Sequence, residues 1–434
     1  MAFRVASMSA AQFQDGAVGI LVGGGPAPGI NGVIAAAALR CLAADRQVLG
    51  IRDGFKRLIA GDTTAAALLT AEEVSRLHVQ GGSYLRTARA NPTKNPNDME
   101  AVLATLYRLN ISGLITIGGD DTCFSALKLS EAARGRLHVV HVPKTIDNDL
   151  DLPAGVPTFG FETARHVGTQ IVKTLIVEAH TTSHWFFVVA MGRQAGHLAL
   201  GIGKAAGATL TLIPEEFAER PLRLSRVVDV LAGAIVKRSS MGHEDGVAVV
   251  AEGLAEVVDP EELSEDSMLP RDEHGHIDLF KIDLAGLLSR AVRARLAPLG
   301  IKSAFREKDV GFELRCADPI GFDLEYTRDL GCSAAGFLLE GGTGALAAMV
   351  HGKFTPIPFD EILDARTGRT RVRPVDVRST GYSIARRYMT RLEPEDFERP
   401  ESLERIGAAV RMTPEAFRSA FEYVVEDERR RRSA

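Results

Sequence analysis

Two carboxylates and an ammonium group lie within one short turn of this sequence. Residues 143–149 read PKTIDND and directly follow the apolar run 137–142. In an extended stretch, residues two positions apart project to the same side, so Asp147 and Asp149 would share one face. One carboxylate can then take a proton from a hydroxyl, and the other can help to hold a cation. An Asx-rich turn that merely caps the strand is the competing interpretation.

A loop rich in glycine and proline lies between a predicted strand and a predicted helix. Residues 23–31 read GGGPAPGIN, between the apolar run 17–22 and the alanine-rich stretch 33–43. Bare backbone amides at the start of a helix can face a phosphate group. The spacing matches neither the Gly-Lys-Ser/Thr phosphate loop nor the dinucleotide fingerprint, so a tight structural turn remains an alternative.

Two adjacent carboxylates, Asp120 and Asp121, follow two glycines at the end of the predicted strand 114–117. Magnesium prefers oxygen ligands, so Asp120 can hold this ion against phosphate oxygens. The same residues also fit the cap of the next predicted helix, 123–133, and the two roles are compatible. A second negative charge at Asp121 would repel the additional phosphates of a nucleotide, whereas Lys144 would offer a compensating positive charge.

Charged residues also follow two strands predicted in the second half of the chain. Arg193 ends the segment Met191-Gly192-Arg193 after an apolar strand at 185–191, and its forked donors suit a sugar phosphate. Glu252 follows the predicted strand 246–251 and can accept hydrogen bonds from sugar hydroxyls. Each signal is weak alone, because an arginine at a strand end is usually a solvated charge.

Arg306 and Arg315 lie near a strand-like stretch, 310–314. Two arginines at this separation form a plausible second anion clamp. This signal is also weak alone.

The elements that position these residues alternate between short apolar strands and helix-favouring segments. Such alternation predicts parallel sheets that are covered by helices and carry functional loops at the carboxyl ends of their strands. We expect an α/β fold with two Rossmann-like α/β lobes, parallel-rich sheets, a cleft between the lobes and a C-terminal helical appendage. The expected divisions are an N-terminal lobe at 1–160, a second lobe at 161–358 and the appendage at 359–434.

Two polar regions are predicted to be solvated. The acidic stretch within 255–278 is interpreted as an insertion loop. The C-terminal segments 403–410 and 417–425 carry apolar residues at helical spacing, and the arginine run 429–432 is interpreted as a frayed, solvated end.

The composition bounds the class of protein. With 434 residues, 45% hydrophobic and 25% charged side chains, the chain can bury a substantial core. A net charge of -5 argues against nucleic acid or an anionic membrane as the main partner. The four cysteines form no paired motif, which disfavours zinc and a disulfide framework. No export signal or membrane span is recognised, so we expect a cytoplasmic location.

Together these motifs resemble the phosphofructokinase family from about Ala17 to Val350. The family carries a GGDxPGxN loop, a GGDG or GGDD loop, a TIDND segment, an MGR segment and a later Glu-Gly. This chain departs from the pattern at Pro26, where an Asp is common. GGDG with PGTIDND resembles the ATP-using type, and GGDD with PKTIDND resembles the type that uses pyrophosphate. Asp121 and Lys144 place this chain with the second type.

The resemblance implies roles for individual residues. Asp147 would be the base that takes the proton of the sugar 1-hydroxyl, and Asp120 would be the ligand of Mg²⁺. Lys144 would stabilise the transferring phosphoryl group, while Asp121 would occupy the place of a nucleotide α-phosphate. The residues implied to bind the phosphoryl donor are Gly24, Gly25, Arg89 and Lys144.

Sugar-phosphate binding is implied for residues from three segments and for one separate arginine. They are Thr145, Ile146, Asp147, Met191, Gly192, Arg193, Glu252 and Arg315, the last in a degenerate form of the family's QRGG segment. Arg306 matches an arginine that a neighbouring subunit contributes, and His184 lies where another such arginine is often found. The resemblance therefore implies a homodimer or homotetramer with sites shared across subunits.

The preferred hypothesis is magnesium-dependent, reversible phosphoryl transfer from pyrophosphate to the 1-hydroxyl of fructose 6-phosphate, which yields fructose 1,6-bisphosphate and phosphate. One alternative is the same reaction with ATP, which Asp121 and Lys144 disfavour. Another is a non-catalytic regulatory subunit that keeps the sugar pocket, which intact Asp120, Asp147 and Lys144 disfavour. A dinucleotide-dependent oxidoreductase is disfavoured, because the sequence lacks the dinucleotide-binding fingerprint.

Overall fold

The strands of this chain are short and mostly buried. The computed structural model describes residues 16–153, 155–263, 282–362 and 371–433. Within these residues the strands are β1 (Ala17–Val22), β2 (Val48–Ile51), β3 (Ala66–Leu68), β4 (Ile111–Gly118), β5 (His138–Pro143), β6 (His184–Ala190), β7 (Leu210–Leu212), β8 (Gly246–Ala251), β9 (Ala304–Val310), β10 (Ala345–Val350) and β11 (Lys353–Pro358).

Helices connect these strands and dominate the C-terminal part of the described chain. In the first half they are α1 (Ile30–Leu42), α2 (Phe55–Ile59), α3 (Ala71–Val74), α4 (Pro96–Arg108), α5 (Asp120–Ala133), α6 (Phe161–Thr182), α7 (His197–Ala206) and α8 (Leu224–Ser239). The remaining helices are α9 (Leu254–Val257), α10 (Pro260–Leu263), α11 (Leu284–Leu296), α12 (Phe312–Arg315), α13 (Gly321–Leu339), α14 (Phe359–Ile362), α15 (Thr380–Arg387), α16 (Pro394–Glu398), α17 (Pro400–Ala409), α18 (Pro414–Phe421) and α19 (Glu426–Ser433).

The described residues pack as two compact units, and the first contains a seven-stranded sheet. Unit 1 comprises the described parts of 1–164 and 312–373. Its strand order is β11-β10-β5-β4-β1-β2-β3, and the pairs from β10 through β2 are parallel. The order reverses between β1 and β4, because β2 lies on one side of β1 and β4 on the other. Ligands of open α/β sheets bind at the carboxyl ends of strands at such a switch point.

Unit 2 comprises the described parts of 165–311 and 374–434 and contains a four-stranded sheet. Its order is β7-β8-β6-β9, with every pair parallel. The carboxyl ends of β6 and β8 therefore lie side by side at one edge of the sheet. Apolar residues of the C-terminal helices, including Phe397, Phe417 and Phe421, share one buried core with this sheet.

These units confirm an α/β fold with parallel-rich sheets and C-terminal helices, but they divide the chain differently from the segments expected at 1–160, 161–358 and 359–434. Strands β10 and β11 extend the sheet of unit 1, because β10 pairs in parallel with β5. The helices from α15 onward bury apolar faces in unit 2 instead of forming a separate body. Unit boundaries of this kind depend on contacts between residues that are distant in sequence.

The structure corrects two local expectations and leaves most of a third outside the described residues. Residues 312–315 form a short helix, so the strand-like interpretation of 310–314 is wrong beyond the end of β9. The arginine run 429–432 lies in α19 and is not a frayed end: Arg429 pairs with Glu422, and Arg431 and Arg432 both pair with Glu428. Most of the predicted acidic loop lies outside the described residues.

No helix in the described ranges combines the length and apolar character needed to cross a membrane. All four cysteines fall within the described residues and are free thiols, with Cys41 and Cys123 buried. Burial raises the pKa of the Cys41 thiol to about 12, which makes it inert at neutral pH.

Candidate active site

The glycine loop follows β1 and leads into α1, at the switch point of unit 1. Gly24 and Gly29 have φ values of 79° and 94°, a backbone conformation that favours glycine. A Cβ added to Gly25 would lie 2.1 Å from a guanidinium nitrogen of Arg315, so a larger residue would displace this arginine. No side chain caps the N-terminus of α1, and its first turn carries no acidic residue. The uncapped start of α1, preceded by the partly exposed Gly24 and Gly25, thus suits an anion.

Lys144 is buried at the end of β5 and points to the glycine loop. Its ammonium donates a hydrogen bond to the carbonyl oxygen of Gly25, and only 5% of the residue is exposed. Burial, followed by the nearby Arg315, lowers the pKa of Lys144 from 10.5 to about 8, while Asp147 and Asp120 oppose this shift. Two cations kept close together in a buried place are costly unless an anion binds between or beside them.

The backbone of Lys144 is tied to the neighbouring strand. Its N–H donates to the carbonyl oxygen of Gly118 at 2.7 Å. The buried ring of His141 lies 3.1 Å from the same carbonyl oxygen and 2.8 Å from the hydroxyl of Thr116. Burial lowers the pKa of His141 to about 3, so the ring stays neutral. This network fixes the ends of β4 and β5 relative to each other.

Asp120 and Asp121 form the first turn of α5, directly after β4. The positive end of the helix dipole stabilises carboxylates at this place. Among the described residues no three His, Cys, Asp or Glu side chains cluster as a complete metal cage. One or two carboxylates nevertheless fit Mg²⁺, which usually keeps several waters and takes its other ligands from substrate phosphates. The donor set at Asp120 therefore suits this ion.

The loop that carries Asp147 is bent, which corrects the extended geometry expected for 143–149. Asn148 adopts a left-handed conformation with φ of 55°, so Asp147 and Asp149 do not alternate as in a strand. The backbone N–H of Asp147 donates to the hydroxyl of Thr145 at 3.0 Å. Asp147 itself is 8% exposed. The turn is thus held locally by the hydroxyl of Thr145, with the carboxylate of Asp147 buried near Lys144.

Arg373 holds this bent loop and was not singled out by the sequence. Its guanidinium donates to the carbonyl oxygen of Asn148 at 3.0 and 3.1 Å and to that of Val156 at 2.9 Å, and it also contacts the side-chain oxygen of Asn148. Its backbone N–H donates to the carbonyl oxygen of Asp149 at 2.7 Å. The only sequence signal is its place before Pro374, which favours an extended backbone.

Arg315 lies in unit 1, at the end of α12, and its guanidinium approaches Gly25 and Lys144. The resemblance assigned this arginine to the sugar phosphate. Its neighbours Gly25 and Lys144 belong to the loops assigned to the phosphoryl donor, and its role in binding the sugar phosphate stays a prediction. Arg306 lies in unit 2, so the two arginines of the expected clamp belong to different units.

Arg89 is exposed and lies next to the glycine loop along the backbone. The preceding residue, Ala88, forms a parallel bridge with Gly23, and its carbonyl oxygen accepts from Gly24 N–H at 3.0 Å. The side chain of Asn31 holds the preceding segment, because it donates to the carbonyl oxygens of Gln80 and Gly81 at 3.1 and 3.2 Å. The first turn of α1 thereby supports the segment that leads to Arg89.

In unit 2, Glu252 organises the turn after β6. One of its carboxylate oxygens accepts hydrogen bonds from the backbone N–H groups of Gly192 and Arg193, both at 2.9 Å. Burial raises the pKa of Glu252, while these two hydrogen bonds and Arg193 oppose the shift. A Cβ on Gly253 would lie 2.0 Å from the carbonyl oxygen of Arg193, so the turn packs directly on this glycine. Met191 leads into the turn and donates from its N–H to Val310 at 3.0 Å.

Arg306 and His184 lie on the neighbouring strands β9 and β6 of unit 2. Arg306 is exposed, and β9 is an edge strand of the four-stranded sheet. His184 pairs in register with Ala304, two residues before Arg306. Its ring lies 2.6 Å from the hydroxyl of Thr182. Arg306 is thus on an accessible edge strand, whereas His184 is half-buried at the start of the interior strand β6.

The fold and these groups define an α/β protein with a glycine loop and cationic side chains at the carboxyl ends of its strands, an arrangement that suits phosphate groups. The family model of phosphofructokinase matches residues 17–338. The chain therefore belongs to the phosphofructokinase family. It is 51% identical over 414 residues to a pyrophosphate–fructose 6-phosphate 1-phosphotransferase of Thermotoga maritima, covering 94% of this chain and 99% of the relative.

A second relative of the same name, from Naegleria fowleri, is 50% identical over 418 residues, covering 94% of this chain and 96% of the relative. The fold is also similar to a crystal structure of a pyrophosphate-dependent phosphofructokinase from Nitrosospira multiformis. That similarity has a TM-score of 0.65 at 17% identity and covers 86% of this chain and 90% of the other. It supports the fold alone.

Proposed function

We propose that this chain transfers a phosphoryl group from pyrophosphate to the 1-hydroxyl of fructose 6-phosphate, in a reversible reaction that yields fructose 1,6-bisphosphate and phosphate. The observation that carries the proposal is the identity of 50–51% with two enzymes of this activity over 94% of the chain. The buried Lys144 and the half-buried Arg315 beside the glycine loop support it, because pyrophosphate is a compact polyanion that would neutralise both charges.

Asp147 is proposed as the general base. Its carboxylate takes the proton of the 1-hydroxyl as the hydroxyl oxygen forms a bond to the terminal phosphorus of pyrophosphate. The bond from this phosphorus to the bridging oxygen then breaks, and the bridging oxygen leaves with inorganic phosphate. The left-handed Asn148 and the hydrogen bonds of Arg373 hold the loop that orients Asp147.

Lys144 and the glycine loop are proposed to bind the donor. Phosphoryl transfer requires mainly positioning and neutralisation of charge. Lys144 supplies a buried positive charge, Gly24 and Gly25 allow close approach of the backbone, and Arg89 adds an exposed charge. We add Arg315 to this group, since its guanidinium lies against Gly25. Asp121 is proposed to exclude the additional phosphates of a nucleotide by repulsion.

A divalent metal, which we propose to be Mg²⁺, would be held by Asp120 and would neutralise charge on the phosphate oxygens when bound. Asp120 stands in the first turn of α5, where the positive end of the helix dipole favours an anionic side chain. We expect the protein to provide few of the metal ligands, because the substrate and water provide the remaining ones.

Thr145, Ile146, Met191, Gly192 and Arg193 are proposed to bind the sugar phosphate, as the resemblance to the family implies. Glu252 fixes the turn at Gly192 and Arg193 through two backbone hydrogen bonds, so we propose that it positions Arg193 and also meets the sugar. Arg306 and His184 are proposed to serve a neighbouring subunit in a homodimer or homotetramer. We propose a cytoplasmic location, which suits the four free cysteines.

The testing experiment measures initial rates on fructose 6-phosphate and Mg²⁺, with pyrophosphate and ATP supplied in parallel at matched concentrations. Activity with pyrophosphate alone is expected. Activity with ATP alone would overturn the role of Asp121 and Lys144 in donor choice. No activity with either donor, in a protein that still binds fructose 6-phosphate, would favour a non-catalytic subunit.

A further inference from the structure

A cavity lined by many cationic side chains lies in unit 2, among the C-terminal helices. Its volume is about 910 Å³. Its positive lining residues come from α8, the segment before α15, α15 itself and α19: Lys237, Arg378, Arg386, Arg387, Arg431 and Arg432. None of the residues assigned above to donor, metal or sugar lines this cavity. The cavity therefore has no part in the proposed reaction.

The acidic residues of the cavity are already engaged. Glu428 accepts from Arg431 and Arg432 at 2.8 Å, and Glu393 accepts from Arg386 at 2.9 Å. The cavity has six positive and three negative lining side chains, and Lys237 is paired with Asp396, outside the lining, at 2.6 Å. The excess positive charge therefore lies on the five arginines. Within the described residues, the exposed side chains of Arg378 and Arg387 form no ion pair. An excess of guanidinium groups in a concave site attracts anions.

Buried donors in the cavity wall lack partners in the structure. Tyr382 is 3% exposed and Arg386 is 6% exposed. Across the described ranges, the hydroxyl of Tyr382 and the Nε atoms of Arg386 and Arg431 have no hydrogen-bond partner. The guanidinium of Arg431 lies 5.9 Å from the centre of the Tyr382 ring, and Glu428 accepts hydrogen bonds from both Arg386 and Arg431, so the three groups belong to one cluster. Buried polar groups without partners are rare and call for a ligand or another explanation.

We propose that this cavity binds a small molecule that carries a phosphate group. A phosphate offers several acceptor oxygens around one centre, which matches the guanidinium groups that α15, α19 and the segment before α15 contribute to the cavity, with the Tyr382 hydroxyl buried in its wall. The residues that carry the site are Tyr382, Arg386 and Arg431 in the wall and Arg378 and Arg387 at the exposed side. Such a site adds a binding function to the C-terminal helices, which otherwise serve the core of unit 2.

The first test compares the binding of radiolabelled inorganic phosphate to the full chain by equilibrium dialysis at fixed ionic strength. The variant R378Q/R387Q removes two exposed charges and touches no residue of the proposed reaction. One phosphate site per chain is expected to weaken at least tenfold, while the remaining sites are unchanged. The control R405Q/R411Q removes two exposed arginines of the same unit outside the cavity and is expected to bind as the parent does.

Three results would overturn the proposal. Equal phosphate binding by the parent and both variants would show that the cavity does not bind phosphate. Displacement of phosphate by chloride at equal concentration would reduce the site to general attraction of anions. A change of oligomeric state in R378Q/R387Q without a change in phosphate binding would identify the cavity as a contact between subunits.

A second variant, Tyr382→Phe, tests the buried donor without changing charge. Removal of a hydroxyl that has no partner is expected to raise Tm in phosphate-free buffer. The same change is expected to reduce the rise of Tm that phosphate causes, while the initial rate of sugar phosphorylation stays at the parent level. A lower Tm without phosphate, or an undiminished phosphate-dependent rise, would contradict the role of Tyr382 in this site.

Discussion

Both units bury an ionisable group at the carboxyl end of a parallel strand, but the two groups have different roles. In unit 1, Lys144 is desolvated beside Arg315, and both effects lower its pKa. In unit 2, Glu252 is also desolvated, but two backbone N–H groups at 2.9 Å satisfy one of its oxygens. The lysine faces a like charge, whereas the glutamate is held by donors that fold the chain around it.

This difference separates a group that awaits a ligand from a group that shapes the backbone. A buried cation beside another cation destabilises the free protein and gains most when a polyanion arrives. A buried carboxylate with two amide donors already has its partners, so its removal harms the turn that it organises. The two residues should therefore respond in opposite ways to substitution.

The largest effect is expected for Lys144→Met. Loss of the buried charge should reduce kcat with pyrophosphate by about 10²–10³-fold, the range for loss of one electrostatic contact to a transition state. The same variant should gain about 1–3 kcal/mol in the free energy of unfolding, because burial and Arg315 outweigh the nearby carboxylates and leave the charge on Lys144 with a net cost in the folded state. Steady-state kinetics and urea unfolding measure the two quantities.

Lys128→Met is the matched control for that variant. Lys128 lies on the surface of α5 and pairs with Glu131 at 2.9 Å. It should change neither quantity by more than a few tenths of a kcal/mol, as surface pairs contribute little. If Lys144→Met were destabilised, the cation pair of unit 1 would be structural, and the contrast with Glu252 would be lost.

Glu252→Ala should show the opposite pattern. The amides of Gly192 and Arg193 would lose their acceptor in a buried place, at a cost of about 2–4 kcal/mol in the free energy of unfolding. The displaced turn should also raise KM for fructose 6-phosphate about tenfold, with a smaller effect on kcat. Urea unfolding and steady-state kinetics with this sugar check the expectation.

Glu252→Gln separates geometry from charge. Glutamine keeps an acceptor oxygen for the two amides and removes the charge, so it should cost less stability than alanine does. Equal damage by both variants would mean that the charge itself is required, and Glu252 would then act directly on the substrate.

Sequence reasoning predicted which functional groups follow strands more successfully than it predicted how these groups are arranged relative to each other. Strand β1 spans the predicted 17–22, and Asp120 and Lys144 follow adjacent parallel strands, so the alternation of strands and helices sufficed to bring them to one sheet edge. The roles of these residues in catalysis remain predictions. Local patterns work here because each loop directly follows its own strand.

Other features depend on contacts that no local pattern records. Arg373 reaches Asn148 across 225 positions in sequence. The left-handed backbone of Asn148 also arises from these tertiary hydrogen bonds, which override the extended geometry that alternation of Asp147 and Asp149 suggested. Phe312–Arg315 was expected to extend a strand but forms a helix after Gly311, which packs directly on Met191.

Arg373→Met should affect catalysis less than loss of Lys144 does. The Asn148 loop would lose the guanidinium hydrogen bonds, and Asp147 would be held less precisely. We expect kcat to fall about tenfold, since small misplacements of catalytic groups are costly, with a modest loss of stability. Arg371→Met is the control, because Arg371 forms a more exposed pair with Asp151 at 2.8 Å. Equal kinetics of the two variants would remove Arg373 from the positioning of Asp147.

The smallest expected effect is a dependence on pH, in which the contributions of Lys144 to activity and to stability change in opposite directions. The pKa of Lys144 in the folded protein is about 8, and its usual value is 10.5. Between these values the unfolded chain binds more protons than the folded one does, so the contribution of Lys144 to stability rises with pH through this window. Below pH 8 both states are protonated, and the folded protein bears the full cost of the buried charge.

Activity should change in the other direction, because the proposed role requires the charged ammonium. The value of kcat/KM for pyrophosphate reports the free enzyme and should fall about twofold at pH 8, then more steeply above it. Pyrophosphate titrates in this range as well, so the residual activity of Lys144→Met provides the reference profile. The part of the decline that belongs to Lys144 should be missing from that variant, as should the rise in stability. An identical decline in both proteins would assign the titration to the substrate and would leave Lys144 without a charge-dependent role.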